Sequence, residues 1–240
     1  MRNVRKFKNK VVVVTGGAHG IGQAIVEDFR KEGAVVEVID KTPGTYFVGD
    51  IGNKETLEAF SSYVLEKHSH IDYLINNALL IMKGIDECSY EEFQYALSVG
   101  VTAPFYLTKL FKDSFNKGAV IVNISSSRDC MSQANTESYT AAKGGITALI
   151  HALMMSLRGH VRVNSISPGR INTHAHTHTG PDAYQQPSGR VGNPQDISSM
   201  VLFLCSPQAS FINGENICID GGMTKQMICH EDAGWYLEDK

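Results

Sequence analysis

The chain has 240 residues, 42% hydrophobic and 20% charged, enough for one large α/β domain with a sizeable core. A formal net charge of −3 without a basic stripe argues against nucleic acid and anionic membrane as partners. No run approaches the roughly 20 apolar residues of a membrane helix, and the basic start, Met1 to Lys8, leads into no apolar stretch of signal-peptide length. Five cysteines, at 88, 130, 205, 218 and 229, show no Cys-x-x-Cys spacing, so reduced thiols and a cytoplasmic setting are expected.

Residues 10–14 form a short β-branched run that predicts a strand buried on both faces of a parallel sheet. The turn Thr15-Gly16-Gly17-Ala18-His19-Gly20-Ile21-Gly22 follows, then a helical pattern from Ala24 ending at Gly33-Ala34. A glycine-rich turn between strand and helix lets the backbone approach a pyrophosphate, and the helix N-terminus offers that anion free N–H groups. Residues 35–40 read as the second strand. Its last residue, Asp40, lies twenty places after Gly20, where a dinucleotide fold sets a carboxylate on the adenosine ribose; this favours NAD over NADP, with Lys41 beside it pulling the other way.

A third strand is expected over residues 45–48, ahead of Gly49-Asp50-Ile51. Asn53 should cap a helix running to His68. Residues 71–75 read as the fourth strand, closing on Asn76-Asn77-Ala78. Ser89-Tyr90-Glu91-Glu92 carries the capping-box pattern and opens a long helix to about Phe115. Its positions Phe93, Leu97, Val101, Phe105 and Leu110 are expected in the core or at a subunit contact, with a bend at Gly100 and Pro104. Residues 118–124 read as the fifth strand, followed by Ser125-Ser126-Ser127.

A helix carries Ser138-Tyr139-Thr140-Ala141-Ala142-Lys143. Tyr139 and Lys143 stand at i and i+4 on one face, where an ammonium favours a phenolate and lowers the phenol pKa. Alone, such a pair is most often an ordinary surface contact. Residues 160–166 read as the sixth strand, and Ser167-Pro168-Gly169-Arg170 leads into a polar loop reaching Asn193. Asn193-Pro194 opens the last helix and residues 216–219 the final strand before Asp220-Gly221-Gly222. Alternating strands and helices without linker or repeat mean a doubly wound parallel sheet. The expected organisation is one domain over residues 1–222 and a tail over 223–240.

In this order the motifs Thr15-Gly16-x3-Gly20-x-Gly22, Asp50-Ile51, Asn76-Asn77-Ala78, Ile124-Ser125-Ser126, Tyr139-x3-Lys143, Pro168-Gly169 and Asp220-Gly221-Gly222 resemble the short-chain dehydrogenase/reductase family in its single-domain form. The resemblance implies a Rossmann-type sheet of seven strands, a nicotinamide dinucleotide, and hydride transfer between an alcohol and a ketone. It implies Tyr139 as proton donor or acceptor, Lys143 as the residue that lowers the tyrosine pKa and bonds the nicotinamide ribose, and Ser126, thirteen places before Tyr139, as the group polarising the substrate oxygen. Gly16, His19, Gly20, Ile21 and Gly22 would cradle the pyrophosphate, and Asp40 would hold the adenosine ribose. Asp50 and Ile51 would approach adenine, Asn77 and Ala78 would line the middle of the cofactor path, and Pro168, Gly169, Ile171 and Thr173 would cover the nicotinamide side. A homodimer or homotetramer paired through the long helices is implied as well.

Two positions depart from the family pattern. Leu79 replaces the glycine that usually follows Asn-Ala, and Gly100 replaces the asparagine of the family's proton relay, leaving a relay of water and backbone. The loop between Thr173 and Arg190 is short for the family. Its His174, His176 and His178 would share one face of an extended strand; no Cys, Asp or Glu cluster accompanies them, so a polar loop touching an anionic substrate is favoured over a metal site, and no metal is expected. Arg128, Asp129 and Cys130 are expected to face a small polar or anionic substrate. In the tail, Trp235 and Tyr236 are expected to pack on the protein or a neighbouring subunit. Two functions follow: an NAD-dependent alcohol dehydrogenase or ketone reductase, or a catalytically weak dinucleotide-binding sensor.

Overall fold

Val11–Thr15 (β1) is buried along its whole length. Val11 and Val13 point into one core and Val12 and Val14 into the other, which is the two-residue period of a strand covered on both faces. The computed structural model describes residues 5–78, 82–174 and 176–236.

After β1 come Gly20–Lys31 (α1), Val35–Asp40 (β2), Phe47–Val48 (β3), Lys54–Lys67 (α2) and Ile71–Asn76 (β4). Next are Tyr90–Leu97 (α3), Ala103–Phe111 (α4), Phe115–Ile124 (β5), Glu137–Ser156 (α5) and Val161–Pro168 (β6). Pro181–Tyr184 (α6), Pro194–Cys205 (α7) and Asn216–Ile219 (β7) complete the series. The seven strands form one parallel sheet in the order β3-β2-β1-β4-β5-β6-β7. The expected Rossmann-type, doubly wound, seven-stranded sheet is therefore present. Its order reverses between β1 and β4, and ligands bind such sheets at that crevice, beyond the carboxyl ends of the strands.

Local chemistry explains most of the boundaries. Ser89 Oγ accepts from Glu92 N at 3.1 Å and Glu92 Oε2 accepts from Ser89 N at 3.0 Å, the reciprocal box expected there. Asn193 and Asp196 make the same box at α7, with Pro194 at the first helical position. Asn53 stands at the N-cap of α2, but its side chain makes no capping bond, contrary to expectation. The third strand is confined to Phe47–Val48, because Tyr46 instead turns its hydroxyl back onto Thr42 O at 2.8 Å.

The long helix differs most from its sequence reading. It changes to a π turn over Ser98–Thr102, resumes as α4, and ends at Phe111, so Phe115 already belongs to β5. The irregularity falls at Gly100, just before Pro104, and such one-turn π insertions mark places where a helix is bent to serve a site. The buried face is Val99, Ala103, Leu107 and Phe111, four residues apart. Of the positions expected in the core or at a subunit contact, Leu97, Val101 and Leu110 are half-buried and pack against the core, Phe93 is half-buried, and Phe105 is 46% exposed. That stripe borders the core and reaches the surface at Phe105. No described helix is long and apolar enough to cross a membrane.

Candidate active site

The glycine turn is built from β1 and braced from β4. Gly16 N donates to Ile39 O at 2.8 Å, tying the turn to the end of β2. Asn77 Nδ2 donates to Gly16 O at 2.8 Å, while Asn77 N and Ala78 N both donate to Thr15 Oγ1 at 3.0 and 3.2 Å. Gly22, in the first turn of α1, has no room for a side chain: a Cβ would stand 2.0 Å from Gly16 O. Helix and strand therefore approach closely enough to leave the N-terminus of α1 facing the turn. His19 at the N-cap makes no side-chain bond, and the first turn carries no acidic residue. The leading N–H groups are thus left for an anion.

Asp40 ends β2 with its carboxylate across the turn: Oδ2 accepts from Ala18 N at 3.1 Å and Oδ1 from Thr42 N at 2.9 Å. Lys41 is exposed. Asp50 Oδ1 accepts from Gly52 N at 2.8 Å and Oδ2 from the Tyr95 hydroxyl at 2.8 Å. Burial, reinforced by that carboxylate, pushes the Tyr95 phenol up to about 12.

Ser126 leaves β5 and is 9% exposed. Its Oγ accepts from Arg128 N at 3.2 Å within the short turn Ser127–Asp129. Tyr139 is half-buried in the first turn of α5. Lys143, one turn on, is 5% exposed, and its Nζ donates to Ile124 O at 2.7 Å. Burial drives the Lys143 pKa down to about 8.

The expected lowering of the phenol by Lys143 is not found. Lys143 Nζ stands 5.4 Å from the Tyr139 ring centroid and is aimed at the Ile124 carbonyl. Burial raises the Tyr139 pKa, and it is the Ser126 hydroxyl and the positive charge of Arg128 that act against the rise. A buried phenol therefore stays protonated at neutral pH, in the state that donates.

All these groups open onto a single cleft of about 410 Å³. Gly16, His19, Gly20, Ile21, Gly22, Asp40, Asp50, Ile51, Asn77 and Ala78 line it, with Ser126, Tyr139, Lys143, Pro168, Gly169, Ile171 and Thr173. The structure thus brings together every residue expected to catalyse or to hold the cofactor, while Arg128, Asp129 and Cys130, expected on the substrate side, do not line the cleft. Thr173 lies over the glycine turn, with its Cβ 3.1 Å from where a Gly20 Cβ would be. Gly169 N donates to Ile219 O at 3.0 Å, and Ile171 forms an isolated bridge with Gly192.

A profile of the family described as "Enoyl-(Acyl carrier protein) reductase" matches residues 16–224. An uncharacterized oxidoreductase of Thermotoga maritima is 37% identical, with 94% of this chain and all of that protein aligned. An L-fucose dehydrogenase of Mus musculus is 34% identical, over 92% of this chain and 91% of that protein. An apo SCOR enzyme from Clostridium thermocellum superposes with a TM-score of 0.90 at 44% identity, covering 97% of this chain and 100% of the other. The chain belongs to the short-chain dehydrogenase/reductase family. It is an oxidoreductase of that family, whose members use nicotinamide dinucleotides.

In this short-chain dehydrogenase/reductase two cleft residues carried no signal in the sequence, Tyr95 and Val99 of the long helix, while His174 of the histidine loop reaches the cleft as well. Thr15 was legible only as a motif letter, and its hydroxyl proves to be the joint between β1 and β4. Ser138, beside Tyr139, clamps the segment that leads into α3: its Oγ donates to Lys83 O at 2.7 Å and accepts from Lys83 N at 3.0 Å.

Asp129 does not face the substrate side. Its Oδ2 accepts from Thr147 Oγ1 at 2.7 Å, Ser167 Oγ at 2.9 Å and Asn216 Nδ2 at 2.6 Å, because α5, β6 and β7 each offer a donor behind the turn. Cys130 is exposed, with its Sγ on Ser127 O. The histidine loop forms no strand among its described residues. Instead Asn172 bonds His176 through both ends of its amide, and the one short helix of the segment is α6. Among the described residues no group of three or more His, Cys, Asp or Glu is placed to hold a metal ion. Trp235 and Tyr236 are exposed and pack edge-on against His230 rather than into the core. Leu79 lies outside the described residues.

Proposed function

We propose that this chain transfers hydride between NAD(H) and a small alcohol or ketone, with Tyr139 as the proton donor or acceptor. The observation that carries the reading is that Ser126, Tyr139 and Lys143 share one cleft with the glycine turn and Asp40. The residues present fit a dinucleotide. The uncapped N-terminus of α1, free of acidic side chains, suits a pyrophosphate, and the Asp40 carboxylate suits a ribose diol while repelling a 2′-phosphate, so NAD is favoured over NADP.

When bound, the nicotinamide supplies or accepts the hydride. The chain manages the proton. Ser126 Oγ and the Tyr139 hydroxyl would both bond the reacting oxygen, stabilising the negative charge that develops on it. In the reducing direction the Tyr139 O–H breaks and its proton passes to that oxygen; in the oxidising direction the phenolate takes it back. Burial keeps the phenol protonated at rest, which suits donation. Lys143 would turn from Ile124 O towards the nicotinamide ribose. The half-buried stripe Phe93, Leu97, Val101 and Leu110, with exposed Phe105, supports pairing into a homodimer or homotetramer.

The test is a screen of small alcohols, sugars and keto acids with NAD and NADP, read by absorbance of the reduced cofactor. Turnover with NAD that Tyr139→Phe lowers by about 10²–10⁴-fold is expected. Replacing Asp40 with alanine should shift preference towards NADP. A second reading, a dinucleotide-binding sensor, rests on Gly100 in the place of the relay asparagine. Tight NADH binding without turnover across the panel would select it.

A further inference from the structure

Tyr95 belongs to no motif of the sequence, yet it forms part of the cleft wall together with Asp50, Ile51 and Val99. It stands in α3 while Asp50 follows β3, so only the tertiary fold brings the two together. The Tyr95 hydroxyl donates to Asp50 Oδ2 at 2.8 Å, and Gly52 N donates to Oδ1 at 2.8 Å. The ring lies against Gly52, where a Cβ would stand 2.6 Å from Tyr95 Cε2 and 3.2 Å from Asp50 Oδ1. The carboxylate is thus held at both oxygens.

The sheet order decides what this acid can meet. β3 and β5 are four strand positions apart, so at the usual strand spacing the chain after β3 stands roughly 19 Å from the chain after β5, which carries Ser126. A small alcohol beside Ser126 and Tyr139 does not span that distance. Asp40, at the end of β2, lies between them, which is the place the NAD(H) reading gives to the ribose. The Asp50 end of the cleft is then left for the base. A carboxylate accepts at about four sites on its two oxygens, and Gly52 and Tyr95 occupy one on each. No ion pair among the described residues includes Asp50, and both Asp50 and Tyr95 are only half-buried, so the acid is open to a donor in the cleft. Burial and the carboxylate push the Tyr95 phenol up to about 12, so its hydroxyl donates throughout the neutral range.

We propose that Tyr95 is the positioning residue that sets the Asp50 carboxylate to accept from the exocyclic amine of a 6-aminopurine, so that the enzyme selects adenine dinucleotides over their 6-oxopurine counterparts. The proposal rests on the NAD(H) reading above and adds the residue that decides the base. A 6-oxo group sets acceptor against acceptor, and a site built around a hydrogen bond rejects the analogue that lacks the donor. Without the hydroxyl, one carboxylate oxygen loses its bond, the acid is free to turn, and the preorganised contact is lost. Tyr95 acts through Asp50 and takes no part in the chemistry.

Calorimetric titration of the full chain with NADH and with reduced nicotinamide hypoxanthine dinucleotide measures the selection without turnover. The wild type should bind NADH at least about tenfold more tightly. Tyr95→Phe should narrow that ratio by about fivefold, through weaker NADH binding alone. Asp50→Asn, whose amide can donate to a 6-oxo group, should bring the ratio close to one, and adding Tyr95→Phe should narrow it no further. Thermal unfolding of each variant checks the fold. Phenylalanine keeps the ring on Gly52, so a merely structural loss would weaken both dinucleotides in proportion. Equal binding of the two by the wild type would overturn the role of Tyr95, as would a proportional loss of both in Tyr95→Phe. Selective NADH binding that Tyr95→Phe reduces, without turnover of any substrate, would leave that role standing and instead defeat the hydride-transfer reading.

Discussion

The Lys143 ammonium donates a 2.7 Å hydrogen bond to the main-chain carbonyl of Ile124, the last residue of β5. That bond joins the helix carrying Tyr139 to the strand that delivers Ser126, and it holds a cation where the surroundings exclude water. Ser125 Oγ closes the same joint from the other side, donating to Lys143 O at 3.0 Å. The spacing of Ser126 and Tyr139 is thus held by backbone carbonyls and a lysine rather than by direct packing alone.

The burial of Lys143 has a consequence for stability. Its pKa falls from 10.5 to about 8, so between those values the unfolded chain binds a proton that the folded chain does not. The contribution of this residue to stability therefore rises with pH across that window, by about 3 kcal/mol for the whole shift. Urea unfolding of the wild type and Lys143→Met at several pH values should show the difference moving in favour of the wild type by that amount. A pH-independent difference would contradict it.

Asp129 is the anchor of the turn that carries Ser126 and Arg128. Replacing it with alanine leaves Asn216 Nδ2 without its acceptor and throws the Thr147 and Ser167 hydroxyls back on Lys143 O and Asn216 Oδ1. A loss of about 2–4 kcal/mol in denaturant-measured stability is expected, with Asp129→Asn milder. Equal stability of Asp129→Ala and the wild type would show that the cluster is re-satisfied by water.

Gly84 lies against the start of α5 so tightly that a Cβ would stand 2.1 Å from both Asn135 Cα and Glu137 Oε2. The neighbouring bonds, Ile85 N to Glu137 Oε2 at 3.1 Å and Lys83 to Ser138, depend on that approach. Gly84→Ala should cost about 1–3 kcal/mol and raise KM more than it lowers cofactor affinity, because it displaces the segment clamped to the residue before Tyr139. A KM unchanged from wild type would separate this clamp from the substrate side.

Gly100 is buried inside the π turn, where its family relatives by resemblance carry the relay asparagine. If water and backbone carry the proton out past Lys143, Gly100→Asn should raise kcat severalfold, by roughly 3–10 times, and reduce the solvent isotope effect. Turnover with a good substrate that stays the same in the variant would count against a relay at this position.

Much of the architecture was legible because it is written in local periods. The all-valine run of β1, the alternating strands and helices, the Ser89 box and the Asn193-Pro194 start each arise from neighbours within a few residues. The gathering of Gly16, Asp40, Ser126, Tyr139 and Lys143 in one cleft follows from a parallel sheet, which delivers every strand's carboxyl end to the same edge. The fully buried face of the long helix, Val99, Ala103, Leu107 and Phe111, is not legible locally, because the π turn over Ser98–Thr102 interrupts the helical period there.

The sequence by itself determined the order of the elements, the glycine-rich turn between β1 and α1 and the identities of the groups brought to the cleft. Only the tertiary structure decided where their charges point. Lys143 faces Ile124 O rather than the phenol, Asp129 faces β6 and β7 rather than the substrate, and Arg128 is left with a buried nitrogen unpaired. The reason is physical. A long or charged side chain takes the orientation that satisfies its polar atoms, and the partners that decide it come from strands far away in the chain.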